Sequence, residues 1–278
     1  MTTETDNQAN ALAAFAARLA QLGVDHAVLS PGSRSAPLIL ALANTAGVQP
    51  WSVIDEREAG FFALGAGKAT NIPAVVACTS GTAAAELAPA IHEAAEARTP
   101  LIALTADRPP ELRAAGENQT IDQVGVFGSA AETVHGPPFD SDALNSWIKF
   151  ADEVFAAATG TRPGPVHVNV PLWEPLAQSA NPEAVAAALE SASVNMAGRE
   201  THDAVPSSVL ALLAESNRPL AICGRDERGH GAEVATWCAK AGIPMIADPL
   251  AQSNRGTTTT TVAAWDALVR DEAWRVGQ

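Results

Sequence analysis

The sequence is poor in positive charge. Lysine and arginine together number 17, against 31 aspartate and glutamate residues, which gives a formal net charge of −14. Binding to nucleic acid or to an anionic membrane needs a basic face, so neither partner is expected. The acidic residues are scattered without a long run, as on an ordinary solvated surface. An anionic substrate would need a local basic pocket within this acidic chain.

Cysteines and long apolar runs are also scarce. Cys78, Cys223 and Cys238 are odd in number and lack the spacing of a metal site, which is typical of reduced, buried thiols. No apolar run approaches the ~20 residues that span a bilayer, and the polar segment 1–7 has no signal-peptide pattern. The sequence therefore predicts a cytoplasmic protein.

Several familiar signatures are missing. The glycines at 65 and 67 lack the third glycine of a dinucleotide fingerprint, and segment 60–68 does not have Walker A spacing. His92 and Glu96 resemble a zincin helix, but glutamate stands where the second histidine belongs. Ser80 lacks the flanking glycines of a nucleophile elbow. No metal ligands are predicted in this chain.

Helical and strand patterns alternate along the 278 residues, of which 47% are hydrophobic and 17% charged. This alternation predicts an α/β fold with a doubly wound parallel sheet covered on both faces. A first domain is expected over 1–175, with strands at 24–29, 51–54, 73–79, 100–105 and 165–170. Helices are expected at 8–22, 35–45, 57–70, 83–98 and 141–159, and a long, functional loop at 107–139.

The chain changes character after residue 175. Segment 176–202 contains proline and many small residues, and we interpret it as a linker. Segment 203–278 then predicts part of a second Rossmann-like α/β domain. Its two strands are expected at 219–223 and 244–246, and its helices at 205–214, 230–241 and 262–272. Two strands are few for a doubly wound domain, so this domain is expected to be incomplete.

Charged residues follow three predicted strands of the first domain. Arg34 lies in Ser-Pro-Gly-Ser-Arg-Ser after the first strand, Glu56 follows the second, and Arg108 follows the fourth. The carboxyl ends of parallel strands line one crevice where ligands bind, so two cations and a carboxylate are expected in one site. Taken alone, Arg34 is an ordinary surface cation and Glu56 an ordinary acid at a helix start. Their joint placement favours a functional site.

A turn of small residues, Thr79-Ser-Gly-Thr82, joins the third strand to the next helix. Such a turn lets the backbone approach a ligand, and helix amides can bind a polar group. It is equally typical of an ordinary strand-to-helix turn with a serine or threonine cap. The motif alone leaves both interpretations open.

Together these motifs resemble the SEPHCHC synthases of menaquinone biosynthesis. The resemblance covers residues 10 to about 175 strongly and the second domain weakly. It rests on the motifs at 30–35, 55–57, 60–65, 79–83, 105–113 and 118–120, which agree in order and spacing. These enzymes use thiamin diphosphate to decarboxylate 2-oxoglutarate and add the resulting succinyl carbanion to isochorismate. The resemblance identifies the first domain as a pyrimidine-binding domain.

The resemblance also implies roles for individual residues. Glu56 is the acid that shares a proton with the aminopyrimidine of the cofactor, and so activates it by general acid–base catalysis. The other assignments are substrate binding for Ser33, Arg34, Arg108, Asn118 and Gln119, and cofactor binding for Pro31, Gly32, Ser80, Gly81 and Thr82. Both substrates are multiply anionic, which explains the need for arginines that grip carboxylates.

One departure from the family is the lack of any Gly-Asp-Gly motif. In the family this motif marks the domain that binds magnesium and the diphosphate. The chain is therefore expected to be the N-terminal half of such an enzyme, with that domain absent. It is expected to fold, to form a dimer or tetramer of identical chains, and to be inactive alone.

Two alternatives stay open. The chain could be the pyrimidine domain of another thiamin-dependent enzyme, such as a relative of acetolactate synthase, although a small uncharged keto acid would not need Arg34 or the run 106–113. It could also be a non-catalytic binding or regulatory module descended from such an enzyme. Retention of Glu56, Arg34, Arg108 and Gln119 argues against that interpretation.

Overall fold

The computed structural model describes residues 2–113, 115–192, 207–225, 230–251, 260–262 and 265–272. The chain divides into two units, Met1–Arg199 and Glu200–Gln278. The domain boundary predicted at residue 203 lies outside the described residues. No helix within the described ranges is long and apolar enough to cross a membrane.

The first unit is built on a six-stranded sheet in which every pairing is parallel. The spatial order of the strands is β2-β1-β3-β4-β6-β5. The strands are β1 (His26–Leu29), β2 (Gln49–Ser52), β3 (Ala74–Cys78), β4 (Leu101–Asp107), β5 (Glu132–His135) and β6 (Pro165–Pro171). The predicted α/β class with a doubly wound parallel sheet is confirmed.

Helices cover both faces of this sheet. They are α1 (Thr2–Gln21), α2 (Ala36–Ala43), α3 (Glu56–Thr70), α4 (Thr82–Glu86), α5 (Ala88–Ala97), α6 (Pro110–Arg113), α7 (Ala143–Thr159) and α8 (Pro182–Ser191). One core contains residues of α1, α2 and α7, and a second core contains residues of α3, α4 and α5. Successive strand residues point to opposite faces, so Ala27 and Leu29 belong to the first core and Val28 to the second.

Burial along the strands follows their place in the sheet. β3 and β4 are buried at every position, as expected for continuous apolar runs covered on both faces. β2 is exposed along its whole length and forms one edge of the sheet. Pro50 lies in this strand, where the missing N–H breaks no pairing on the free side.

The second unit contains a smaller parallel sheet of order β7-β8-β9. Its strands are β7 (Ala221–Cys223), β8 (Met245–Ala247) and β9 (Thr261–Val262), and its helices are α9 (Ser207–Glu215), α10 (Gly231–Ala241) and α11 (Trp265–Arg270). A small core that includes Cys238 and Met245 joins α10 to this sheet. β9 was not predicted, because a strand of two residues has no readable alternation.

The first unit differs from the prediction at two places. The loop predicted at 107–139 contains β5, a short strand at the sheet edge next to β6. Its four residues are only partly buried, so they lack the apolar run that identifies the central strands. The helix predicted at 83–98 is two helices, α4 and α5, which meet at Leu87. Pro89, near the start of α5, favours a new helix start there.

The segment predicted as a linker, 176–202, contains a packed helix. In α8, Val185 is buried against Ala14 of α1 and Ile148 of α7. Asn181 caps α8, since its side-chain oxygen accepts the N–H groups of Glu183 and Ala184 at 3.0 and 3.2 Å. The low content of large apolar residues therefore reflects a small contact area here and does not mark a spacer.

Candidate active site at the carboxyl edge of the sheet

The sheet has a switch point between β1 and β3. These strands are neighbours, but β1 is followed by β2 on one side and β3 by β4 on the other. Ligands of doubly wound proteins bind beyond the carboxyl ends of the strands at such a point. The two loops touch there, since a Cβ added to Gly32 would lie 2.5 Å from the Cβ of Thr79. Only glycine fits at position 32 without displacing the loop after β3.

Glu56 lies at the start of α3, directly after the turn that follows β2. Asp55 caps this helix by accepting the N–H of Arg57 at 2.9 Å, and its carboxylate also pairs with the Arg57 guanidinium at 2.5 Å. The hydrogen bond from the Arg57 side chain is the main reason why the pKa of Asp55 falls to about 2. Asp55 and Arg57 are thus hydrogen-bonded to each other, and neither is the partner of Glu56, which lies between them in the sequence.

The Glu56 carboxylate is half-buried and forms no hydrogen bond or ion pair with the described residues. Its charge acts on Cys78 at the end of β3. Burial raises the pKa of the Cys78 thiol, and the negative charge of Glu56 raises it further. A carboxyl group without a partner beside buried apolar strands is well placed to share a proton with a bound ligand.

Arg108 follows β4 and lies across the loop that follows β3. Its guanidinium donates to Ser80 Oγ and, at 2.7 Å, to the carbonyl oxygen of Asn118. The residue is only 9% exposed. Burial lowers the pKa of Arg108, and the positive charge of Arg34 lowers it further. The structure therefore brings the two predicted arginines close enough for each charge to act on the other.

The turn at Ser80 and Gly81 packs closely against residue 119. Ser80 Oγ donates to the carbonyl oxygen of Gln119 at 3.1 Å. Gly81 has φ +82°, and a Cβ added there would lie 2.9 Å from the carbonyl oxygen of Gln119. Glycine is required at position 81 on both counts. This contact fixes the loop after β3 and the long loop after β4 to each other.

A buried polar network that the sequence did not predict lies behind this turn. Gln123, 1% exposed, accepts the Gly81 N–H at 2.7 Å and donates to Asn169 Oδ1 at 2.8 Å. Asn169 donates to Asp107 at 2.7 Å, and Asp107 accepts the backbone N–H of Arg108, also at 2.7 Å. The network therefore connects the backbone of Gly81 to that of Arg108 through side chains alone.

The charge of Asp107 is balanced within the same network. Asp107 is fully buried, and the guanidinium of Arg113 lies 2.8 Å from its Oδ2 atom. Arg113 also donates to the carbonyl oxygen of Arg108 at 3.0 Å. Buried charges are tolerated when they are paired and hydrogen-bonded. This pair binds both backbone groups of Arg108, because Asp107 accepts its N–H and Arg113 donates to its carbonyl oxygen.

His167 on β6 extends the network across the sheet. Its Nε2 lies 2.8 Å from Thr105 Oγ1 and its Nδ1 lies 3.0 Å from Thr133 Oγ1. Burial, and to a lesser extent the charge of His135, lower the pKa of His167 to about 4, so the ring is neutral near pH 7. Thr105 donates its one hydroxyl proton to Asn169 at 2.9 Å, which assigns the ring proton of His167 to Nε2.

Part of this network carries a signal in the sequence. In β6, polar His167 and Asn169 alternate with Val166, Val168 and Val170, although the strand is buried on both faces. Polar side chains at every second position of a buried strand indicate a hydrogen-bonded row. Gln123 lies in a loop and has no comparable local pattern.

Comparison with known proteins gives a consistent result. Residues 9–126 match the family model "Thiamine pyrophosphate enzyme, N-terminal TPP binding domain". This part of the chain is therefore similar to the N-terminal domain of thiamine pyrophosphate enzymes. The matched segment extends from α1 to the loop after β4 and includes Arg34, Glu56, Ser80 and Arg108.

Relatives match nearly the whole chain. The 2-succinyl-5-enolpyruvyl-6-hydroxy-3-cyclohexene-1-carboxylate synthase of Geobacillus thermodenitrificans is 43% identical over 274 residues, covering 94% of this chain and 46% of that protein. The synthase of the same name from Chloroflexus aurantiacus is 41% identical, with 94% and 46% covered. That from Oceanobacillus iheyensis is 37% identical, with 96% and 48% covered. The resemblance to these synthases is confirmed, and the chain spans about half of their length.

The structure groups most of the predicted site residues of the matched segment. Direct contacts join Arg108, Ser80, Gly81, Asn118 and Gln119, and the charge of Arg34 acts on this group. The side chains of Ser33, Asn118 and Gln119 are exposed and hydrogen-bonded to no described residue, so they are free to meet a ligand. Pro31 and Thr82 are exposed at the two loops of the switch point. Glu56 forms no hydrogen bond or ion pair with this group, and its charge acts on Cys78 at the end of β3.

The described residues fit one end of thiamin diphosphate. The Glu56 carboxylate has no partner, and the fully buried Ser30 Oγ at the end of β1 also has none. These groups can accept and donate the hydrogen bonds that an aminopyrimidine needs. Among the described residues, no group of three or more His, Cys, Asp or Glu side chains is arranged to hold a metal ion. The magnesium ion therefore remains a prediction that concerns another part of such an enzyme.

Proposed function

We propose that this chain forms the pyrimidine-binding part of a synthase that decarboxylates 2-oxoglutarate and adds the succinyl group to isochorismate in menaquinone biosynthesis. The observation that carries this proposal is the similarity, at 43% identity over 94% of the chain, to a synthase named for that product. The product name contains a succinyl group, an enolpyruvyl group and a ring carboxylate. A site for such molecules needs cations that bind carboxylates.

Glu56 is proposed as the catalytic acid and base of this site. When bound, thiamin diphosphate supplies the reactive carbon that attacks the keto acid. Glu56 would hold a proton at the N1′ atom of its aminopyrimidine, which is general acid–base chemistry. The partnerless carboxylate at the start of α3 supports this role. Pro31, Gly32, Ser80, Gly81 and Thr82 would supply the backbone around the ring. The diphosphate and magnesium are proposed to bind in another domain of the synthase.

The substrate carboxylates are proposed to bind Arg34 and Arg108. An arginine can grip a carboxylate through two parallel hydrogen bonds, and the two guanidinium groups are close enough to influence each other. Ser33, Asn118 and Gln119 would add neutral hydrogen bonds from the surrounding loops. Burial of Arg108 strengthens its attraction for an anion, because the charge is less screened there than in water.

The synthase is also proposed to be a homo-oligomer. Three large apolar side chains near Glu56 are exposed, namely Ile54 at 82%, Phe61 at 49% and Phe62 at 40%. Apolar groups that cluster at a surface are typical of an interface with another protein.

A chimeric enzyme tests the proposed reaction. Residues 1–278 would replace the matching part of the Geobacillus thermodenitrificans synthase, and the release of CO₂ from 2-oxoglutarate would be measured with isochorismate, thiamin diphosphate and magnesium present. We expect turnover that depends on isochorismate. A folded chimera that binds the cofactor but leaves both substrates unchanged would refute the proposed reaction. The unmodified relative is the positive control.

A further inference from the structure

Arg34 is held by two oxygen atoms of very different kinds. One terminal nitrogen, Nη1, donates to the carbonyl oxygen of Leu172 at 2.8 Å, and the other, Nη2, donates to Oε1 of Glu174 at 3.3 Å. The side chain of Arg34 is only 11% exposed, whereas that of Glu174 is 72% exposed. Both partners come from the short segment that follows β6.

The contact with Leu172 is the fixed one. Leu172 is fully buried, and its own N–H donates to the carbonyl oxygen of Asp107 at 3.1 Å, which ties it to the end of β4. A carbonyl group in such a place cannot move away without disrupting the sheet edge. It therefore sets the position of the Arg34 guanidinium.

The contact with Glu174 is the exchangeable one. Only one carboxylate oxygen takes part, the distance is long for a charged hydrogen bond, and water reaches most of the Glu174 side chain. Exposed ion pairs of this kind contribute little to stability. A ligand carboxylate can replace Glu174 at Nη2 while the Leu172 carbonyl oxygen stays bonded to Nη1, so the guanidinium does not have to move.

The charges around the arginines make Glu174 the available carboxylate. Four charged groups act on the Arg108 guanidinium, namely Arg34, Asp107, Glu117 and Glu174. Asp107 is already committed to Arg113 and Asn169, so it cannot neutralise an additional cation. No ion pair within the described part of the chain joins Glu117 to either arginine, whereas Glu174 is in direct contact with Arg34.

We propose that Glu174 is an internal counter-ion that occupies Arg34 in the free protein and is displaced by the carboxylate of the bound substrate. This inference rests on the proposed function, in which Arg34 binds a substrate carboxylate. Glu174 then acts as a specificity-determining residue. A ligand without a carboxylate cannot replace the ion pair that it would break, whereas a carboxylate ligand exchanges one pair for another.

The test measures carboxylate binding to the 278-residue chain with and without Glu174. Succinate would be titrated into ¹⁵N-labelled protein, and the Nε–H signal of Arg34, assigned with Arg34→Lys, would report binding by NMR. Glu174→Gln should tighten succinate binding by about two- to fivefold, which is the contribution typical of an exposed ion pair. Succinamide, which has no carboxylate, should bind neither protein.

The matched control is Glu153→Gln. Glu153 is an exposed residue of α7 and makes no ion pair or hydrogen bond with the described residues, so this change removes the same charge away from Arg34. It should leave succinate affinity unchanged. In the Arg34→Lys background, where the backbone N–H signals of residues 32–36 report succinate binding in place of the Arg34 Nε–H, the effect of Glu174→Gln should be lost.

Equal or weaker succinate binding by Glu174→Gln would overturn the proposal, since Glu174 would then orient Arg34 for the ligand or have no part in binding. Absence of succinate binding in both proteins at millimolar concentrations, where even weak association is detected, would overturn it as well. The chimeric enzyme separates these results from the proposed function. If the chimera is active but its Glu174→Gln variant binds succinate no better, the proposed function stands and the counter-ion proposal fails.

Discussion

Replacing His167 by glutamine should make the protein less sensitive to acid. The pKa of His167 falls from an ordinary value of 6.5 to about 4 because the ring is buried. A histidine with a lower pKa in the folded state binds its proton more readily in the unfolded chain, so protonation favours unfolding. The stability that depends on neutral His167 is complete above pH 6.5 and is lost as the pH falls from about 6.5 to 4.

The size of the effect follows from the shift in the pKa of His167. One pKa unit corresponds to 1.36 kcal/mol, so the full shift amounts to about 3 kcal/mol below pH 4. Between pH 7 and pH 5.5, linkage predicts a loss of about 1 kcal/mol in the free energy of unfolding. Glutamine can retain a hydrogen bond to Thr105 but does not titrate, and its variant should lack this component.

Urea unfolding at pH 7 and pH 5.5, followed by circular dichroism, measures the difference. Carboxylates titrate in both proteins, so the comparison of wild type with His167→Gln isolates the histidine. His92→Gln, at an exposed position on α5, is the control and should behave as the wild type does. The reasoning is refuted if His167→Gln loses as much stability as the wild type, or if the ring of His167 titrates near pH 6.5 by NMR.

Three further changes probe the site. Gln123→Leu leaves the Gly81 N–H without its acceptor, and urea unfolding should show a loss of about 1–3 kcal/mol in stability; an unchanged midpoint would contradict the network. Gly32→Ala places a methyl group 2.5 Å from the Cβ of Thr79 and should destabilise the protein by about 1–3 kcal/mol. The double variant with Thr79→Gly should recover part of this loss, and no recovery would argue against the contact. In the chimeric enzyme, Glu56→Gln should slow deuterium exchange at C2 of the bound cofactor by about 10²–10⁴, and an unaltered exchange rate would remove Glu56 from its role.

The sheet could be predicted because its central strands are buried on both faces. Segments 73–79 and 100–105 are nearly continuous apolar runs, and helical periods separate them. The same reasoning located Arg34, Glu56 and Arg108 in the segments that follow β1, β2 and β4, and the structure has them there. It failed for β5, whose four residues at a sheet edge are half-exposed, and for α8, whose small contact surface resembled a spacer.

The polar network could not be predicted, because its contacts join residues that are distant in sequence. Gln123 meets Gly81 across 42 positions and Asn169 across 46. The local pattern of polar and apolar residues does not indicate which loop residue will lie between two strands. The partners of Arg34 were missed for the same reason, since Glu174 lies 140 positions away.

Helix α1 makes contacts with residues that are synthesised much later. Gln8 in α1 bonds both the N–H and the carbonyl oxygen of Trp173, 165 positions later, and Phe15 stacks against Phe150 of α7. At the usual synthesis rate of roughly 5–20 residues per second, about 8–33 s pass between the two ends of that contact. Until then α1 can pack only against parts of its core that are synthesised earlier, such as α2, and its contact with Trp173 cannot form. The contact of α1 with Trp173 is therefore completed only after the last strand of the unit has been synthesised, and a ribosome-bound chain that ends before residue 173 should be a substrate for chaperones.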